Sequence, residues 1–568
     1  MEAREKAPVE QTNLPWLRHY PEGVDWHARF TPRPFDTLLD EAAARFADRP
    51  FIDFLDRRMT YREVDGLADK VAKGLQTLGV KKGVKVGLFL PNCPYSVVCF
   101  FAILRAGGTV VNYNPLYVTR EVEQQVEDSE TDIMITLDLN LLLPKLEPLL
   151  KSTRLKAIVV AKMADCLPFP KNLLYPWVKR RDVAKISTEP SFVPFDQLTD
   201  NDGRYQPAEI DPETDIAVIQ YTGGTTGVPK GATHSHASLV INAAQLAVWA
   251  PEFTPGEERV LGVIPLFHVL AISTVLTYGT RIGAELILLP RFDLDQMLKT
   301  ISTKRPTFLP GVPTMYNAIS SHKDIDRFDL TSIKLCISGG APLPIEVKES
   351  FERRAGCTLV EGYGLTEAPV THCNPITGVQ KTGSFGVPMP GTIIEILSLD
   401  DGETVLPQGE RGEICISGPQ VMQGYWKREE ATSETIRNGR LHTGDVGYLD
   451  EDGYGFLVDR LKELIICSGY NVYPRTIEEA LYEHPAVAEA AVCGVPDDYR
   501  GETVKAFIVL RKGENLAEPE LLDFLKDRLS KIEMPKIVEF RDELPKSAVG
   551  KILKKELLRE ERERAAVA

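Results

Sequence analysis

The densest run of anion-binding chemistry in the chain is Tyr221-Thr222-Gly223-Gly224-Thr225-Thr226-Gly227-Val228-Pro229-Lys230-Gly231. Glycines let a backbone turn its N–H groups toward one anion, threonine hydroxyls add donors at the same spot, and Lys230 adds a point charge. The run follows Ile216-Ala217-Val218-Ile219, so the loop leaves the end of a strand. This is the composition of a phosphate cradle. It is not a Walker A loop, which needs Gly directly before Lys and Ser or Thr directly after; Pro229 and Gly231 stand there instead. A second cluster runs Leu359-Val360-Glu361-Gly362-Tyr363-Gly364-Leu365-Thr366-Glu367. Its small residues would let the ring of Tyr363 stack against backbone, and Thr366 and Glu367 offer the hard oxygens that Mg²⁺ prefers beside phosphates. Read alone, it is a strand ending in one solvated Glu. Ser338-Gly339-Gly340-Ala341-Pro342 follows the strand at 334–337 with no bulk to obstruct a ligand. His442-Thr443-Gly444-Asp445 ends in a carboxylate able to accept two hydrogen bonds from a sugar diol.

Such loops need strands to launch them. Thr60 with Glu63 makes a capping box. After it Val64, Leu67, Ala68, Val71, Ala72, Leu75 and Leu78 recur at helical spacing until Gly79. A short apolar run at 86–90, a helix over 95–105 and Thr109-Val110-Val111 complete a βαβ unit, and the alternation returns at 155–161, 216–222, 258–264, 284–289 and 334–338. The pattern predicts an α/β protein: a large N-terminal domain of parallel-rich sheets flanked by helices, over 1–458. Composition changes after Asp459-Arg460-Leu461-Lys462, which places a hinge at 459–464. The rest, 465–568, is long enough for a small, mobile α+β C-terminal domain. The final run from Lys554 to Arg564 reads as a solvated terminal helix.

With 568 residues, 43% of them apolar and 26% charged, the chain has the make-up of a multidomain globular protein. Its 66 basic and 81 acidic residues leave a net charge of −15. Nucleic acid is therefore excluded as a partner, since its phosphates demand a basic footprint. Any anionic ligand must be met by a few locally placed cations. Nine cysteines without a C-x-x-C pair argue against disulfides or structural zinc and for the cytoplasm. The start, Met1-Glu2-Ala3-Arg4-Glu5-Lys6, is not an export signal. The longest stretch free of charged residues, 260–280, contains Pro265 and His268 and reads as strand, loop and buried helix rather than a membrane span. Between 163 and 187 the chain turns aromatic and basic, with Tyr175, Trp177, Lys179, Arg180 and Arg181. That stretch reads either as a surface loop with a solvated charge run or as an interfacial segment touching the inner face of an anionic membrane.

In their order, these clusters, the 459–462 segment and Pro545-Lys546-Ser547-Ala548-Val549-Gly550-Lys551 resemble the adenylate-forming superfamily of acyl- and aryl-CoA ligases, luciferases and peptide-synthetase adenylation domains. The resemblance runs from about 35 to about 557. It is strongest to bacterial long-chain fatty-acid–CoA ligases, in the 221–227 loop, Gly418-Pro419-Gln420-Val421-Met422, Leu441-His442-Thr443-Gly444-Asp445 and the segment 540–547. It implies ligation of a long-chain fatty acid to coenzyme A through an acyl-adenylate, with release of AMP and pyrophosphate. A medium-chain or aryl acid is the alternative substrate. It further implies that Thr222 through Gly227 and Lys230 hold the β- and γ-phosphates of ATP and that Glu367 binds Mg²⁺. Gly340, Ala341, Glu361, Gly362 and Tyr363 would surround adenine. Thr366 would touch the α-phosphate, and Asp445 and Arg460 the ribose. Lys551 matches the catalytic lysine, Lys462 the hinge and His268 a motif beside the acyl pocket. Leu270, Ile272 and 311–316 are apolar enough to line it. Ile272 stands where some relatives carry a Trp gate, and Cys467 where several carry Lys. Relatives are often homodimers.

Overall fold

A computed structural model describes residues 14–222, 229–467, 470–497, 500–548 and 550–567. The helix Tyr61–Thr77 starts where the capping box places it. The Thr60 hydroxyl accepts from the Glu63 N–H at 3.2 Å, and the Glu63 carboxylate accepts from the Thr60 N–H at 2.7 Å. That reciprocal pair is worth about 1 kcal/mol. The strand Lys85–Leu88, the helix Pro94–Arg105 and the strand Thr109–Asn112 complete the expected unit, with the two strands parallel.

Three sheets share one continuous hydrophobic core. An eight-stranded sheet runs in the order Gly424–Tyr425, Gly231–Ser235, Ile216–Tyr221, Thr109–Asn112, Lys85–Leu88, Thr131–Leu137, Ala157–Ala161 and Phe192–Pro194. A nine-stranded sheet has at its centre Thr358–Tyr363, Leu335–Ser338, Phe308–Gly311, Arg259–Gly262 and Glu285–Leu288, all parallel. Such strands are covered on both faces and so read as unbroken apolar runs rather than alternating ones. The third sheet is antiparallel and carries Gly412–Ser417, Arg440–Leu449 and Gly455–Arg460. The remaining sheet, built on Val487–Asp497 and Gly501–Leu510, has its own core of residues between Ile465 and Leu529.

Two local features differ from the sequence reading, and the phosphate-type loop, which leaves a strand as expected, also runs into one. Ile216–Tyr221 and Gly231–Ser235 pair antiparallel across it, and Thr222 N–H donates to the Lys230 carbonyl at 2.9 Å. The basic-aromatic stretch contains a helix, Lys171–Val178, none of whose residues is buried. The terminal helix Lys554–Val567 is packed rather than solvated: Leu557 is buried, and Lys554 pairs with Glu463 and Glu478 at 3.1 and 2.9 Å. The 260–280 stretch is the expected strand, loop and buried helix, although Ile272–Thr277 is π-helical. Among the described residues no helix is long and apolar enough to cross a membrane.

Candidate active site

Gly311, Ser338 and Glu361 lie side by side in the parallel register of the nine-stranded sheet. The loops that follow them leave one carboxyl edge, where open α/β sheets present their ligand crevice. Gly340 takes φ +78°, a conformation that disfavours any side chain. Glu361 accepts from the Leu343 N–H at 3.2 Å, so its carboxyl pins the 340–343 loop, with Ala341, against the strand end. Burial drives that carboxyl up to about 7, against the pull of nearby Arg475. Gly362 approaches the His372 carbonyl and Ile337 so closely that a Cβ would sit 3.5 and 3.3 Å from them. Tyr363 does not lie on backbone alone. Its ring packs on Phe385 at 4.7 Å between centroids, and its hydroxyl donates to Asp445 Oδ2 at 2.7 Å.

Asp445 is buried, and its second oxygen faces Arg460 Nε at 3.1 Å. Each carboxylate oxygen keeps a further lone pair, so the pair can still receive a diol. Thr366 is held from behind: His234 Nε2 lies 2.7 Å from the Thr366 carbonyl, which can only accept, so that nitrogen carries the proton. Burial keeps His234 neutral by lowering its pKa to about 4. Glu367 Oε1 accepts from the Tyr425 hydroxyl at 2.6 Å, and the Lys230 ammonium sits 4.8 Å above the Tyr425 ring. One oxygen of Glu367 is thus fixed while the other makes no hydrogen bond among the described residues. A hard, oriented carboxylate oxygen beside Lys230 fits Mg²⁺. Gly223, Gly224, Thr225, Thr226 and Gly227 lie outside the described residues.

The final element arrives from the C-terminal sheet. Ser547 N–H donates to the Lys551 carbonyl at 2.8 Å, closing a turn that contains Gly550 at φ +77°. A Cβ on Gly550 would stand 2.4 Å from Thr314 Oγ1, so the turn touches the 311–316 segment as closely as backbone can. The Lys551 ammonium forms no hydrogen bond or ion pair among the described residues. Burial and the neighbouring Arg460 push it down to about 8, while Glu463 and Asp445 oppose that shift. His268 lies on the other side. Its Nδ1 accepts from the Leu270 N–H at 3.3 Å, making it the cap of the helical run that begins at Val269. Burial and the Lys551 charge hold His268 neutral, at about 4. Lys462 lies on the single turn Leu461–Glu463, with its side chain exposed.

Sequence reasoning missed the supports. Tyr425 follows the Gly418-to-Met422 motif closely, yet nothing in its spacing links it to Glu367. Glu413 binds His442 Nδ1 at 2.7 Å and the Gly444 N–H at 3.0 Å, fixing the turn before Asp445. His234 and Arg475 gave no signal.

A sheet edge presenting glycine loops, a carboxylate able to take a diol, an oriented carboxylate and a half-buried ammonium without a partner among the described residues are the features a nucleotide-dependent acid-activating site needs. Comparison with known proteins agrees. The family model for AMP-binding enzymes matches residues 39–426, and the model for the AMP-binding enzyme C-terminal domain matches 476–551. The chain belongs to the AMP-binding enzyme family. It is 45% identical over 558 residues to a long-chain-fatty-acid–CoA ligase of Bacillus subtilis (strain 168), covering 97% of this chain and 99% of the relative. It is 39% identical over 561 residues to a long-chain-fatty-acid–CoA ligase of Escherichia coli O6:H1, covering 96% and 98%. Among solved structures, an anthranilate CoA ligase in complex with anthranoyl-AMP superposes with a TM-score of 0.83 at 27% identity, covering 96% of this chain and 100% of that one.

Proposed function

We propose that the protein ligates a long-chain fatty acid to coenzyme A at the expense of ATP, by way of an acyl-adenylate. The carboxylate attacks the α-phosphorus and pyrophosphate leaves; the thiol of coenzyme A then attacks the acyl carbon and AMP leaves. Two anions must meet in the first step, so a cation has to stand between them. The observation that carries this reading is the Lys551 ammonium, unpaired and partly desolvated, with the nucleotide-side pair Asp445–Arg460 and the acyl-side His268 all within its electrostatic reach. Thr222 and Lys230 meet the outer phosphates, Gly340, Ala341, Gly362 and Tyr363 frame the base, and Thr366 touches the α-phosphate. Glu367 would hold Mg²⁺, which would neutralise phosphate charge there. Glu361 acts by fixing the base-binding loop. His268, Leu270, Ile272 and Val312 line the acyl side. For the thiol to enter, the module after 459–464 has to turn away, with Lys462 in the segment that absorbs the change.

The membrane contact also belongs to this reading. Trp177 and Phe169 are 83% and 79% exposed, and the basic run at 179–181 adjoins them. We place this helix on the anionic inner face of the membrane, where free fatty acids partition. The test of substrate class is CoA-ligase activity across saturated acids from C4 to C18, with benzoate and cinnamate as controls. Turnover rising to a maximum at C14–C18 is expected; a maximum with an aryl acid would overturn the long-chain assignment.

A further inference from the structure

A cavity of about 350 Å³ opens between the 29–33 segment, the helix His236–Trp249 and the end of the helix Tyr278–Arg281. Three guanidinium groups line it, from Arg29, Arg33 and Arg281. In a chain carrying a net charge of −15, three cations around one cavity need a cause. Intramolecular pairing supplies little of it. Arg33 pairs with Glu41, but its buried Nε finds no partner. The Arg29 and Arg281 side chains form no ion pair or hydrogen bond among the described residues. Burial first, and the Arg33 charge second, lower the hold of Arg281 on its proton, while Glu41 opposes the shift. The half-buried guanidiniums of Arg33 and Arg281 are costly together unless an anion joins them, and Arg29 adds an exposed one.

Apart from Thr31, the rest of the wall is apolar: Phe30 together with Val240, Ile241 and Ala244, which are buried on one helix face. The segment is pinned there because Phe35 N–H donates to His236 Nδ1 at 3.0 Å, at the first residue of the helix. A planar fork suits a carboxylate, and the volume is that of a small-molecule site. Arg281 ends the helical run whose first residue His268 caps, thirteen residues along it and so roughly 15–20 Å away, the π-helical Ile272–Thr277 rising less per residue than α-helix. The cavity is therefore distinct from the catalytic carboxylate position.

We propose that this cavity is a second fatty-acid site, in which the arginines hold the carboxylate of a free acid and the apolar wall takes the start of its chain. It rests on the long-chain reading above, and the test separates the two. Binding of radiolabelled palmitate to the full-length protein is measured by equilibrium dialysis without ATP, and palmitoyl-CoA formation is measured separately. Two palmitate sites are expected in the wild type. In Arg29→Gln/Arg281→Gln the second should weaken at least tenfold, with kcat at saturating palmitate unchanged. Where the double variant folds poorly, Arg29→Gln alone, on an exposed segment, carries the test. Unaltered palmitate stoichiometry and affinity in the variants, with ligase activity intact, would overturn the cavity and leave the ligase reading standing. Displacement of the second palmitate by an equal concentration of inorganic phosphate would make it a plain anion site and overturn the fatty-acid assignment. Absence of palmitoyl-CoA formation would instead strike the substrate class.

Discussion

Glu361 and Lys551 meet the same desolvation in opposite senses, and each yields a pH dependence of its own sign. Glu361 titrates near 7 in the fold against an ordinary value near 4.3. A raised carboxyl contributes stability in full below the unfolded value and loses it as pH rises through the folded one. Glu361→Gln, which keeps the acceptor for Leu343, should therefore raise Tm at pH 8, by up to ~3 kcal/mol in stability, and change little at pH 4. Differential scanning calorimetry at the two pH values checks it; an equal shift at both would refute the assignment. Lys551, lowered to about 8, loses its ammonium as pH climbs through that value. Adenylation kcat/KM, which reports the free enzyme, should be level below pH 7.5 and fall above 8. A profile flat to pH 10 would contradict it.

At the scale of elements, the 545–551 turn is what brings the ammonium to the large sheet, and Gly550 is its contact point. A side chain there meets both an unfavourable φ and Thr314 Oγ1. Gly550→Ala should lower adenylation at least tenfold, and Thr314→Ala in the same chain should return part of the loss. A strictly additive double variant would argue that the two do not touch. Elements of this kind mark how far the sequence could be read. Thr60 with Glu63 and the apolar runs at 86–90 and 334–337 announced their elements because periodicity and capping are local. The strand pairing across the 221–231 loop was not legible, since a glycine loop after a strand leads as readily into a helix. Nor were the supports of the site. Tyr425 meets Glu367 across 58 residues, and Lys554 finds Glu463 and Glu478 only once two segments pack. The motif residues themselves were legible because short loops carry their own chemistry; the groups that orient them are fixed by tertiary contact.

For the molecule as a whole, the proposed membrane contact has a strongly acidic chain meet an anionic surface against its own net charge. On that proposal the exposed helix Lys171–Val178, with the 179–181 run beside it, is the part that orients the approach. Trp177→Ala combined with neutralisation of Lys179, Arg180 and Arg181 to Gln should abolish flotation with vesicles of 30% anionic lipid and leave kcat on detergent-solubilised palmitate unchanged. Undiminished flotation would remove the helix from the membrane account. In the mechanism proposed above, the two modules are partners in one step, the larger holding nucleotide and acid, the smaller delivering charge.

The measurement that bears most directly on this division is palmitate-dependent exchange of labelled pyrophosphate into ATP by Lys551→Ala, set beside its conversion of supplied palmitoyl-adenylate and coenzyme A to palmitoyl-CoA. Loss of a cation acting at the transition state should lower exchange a hundredfold or more, about 3 kcal/mol, while conversion of the supplied adenylate continues. Exchange at the wild-type rate would contradict the account.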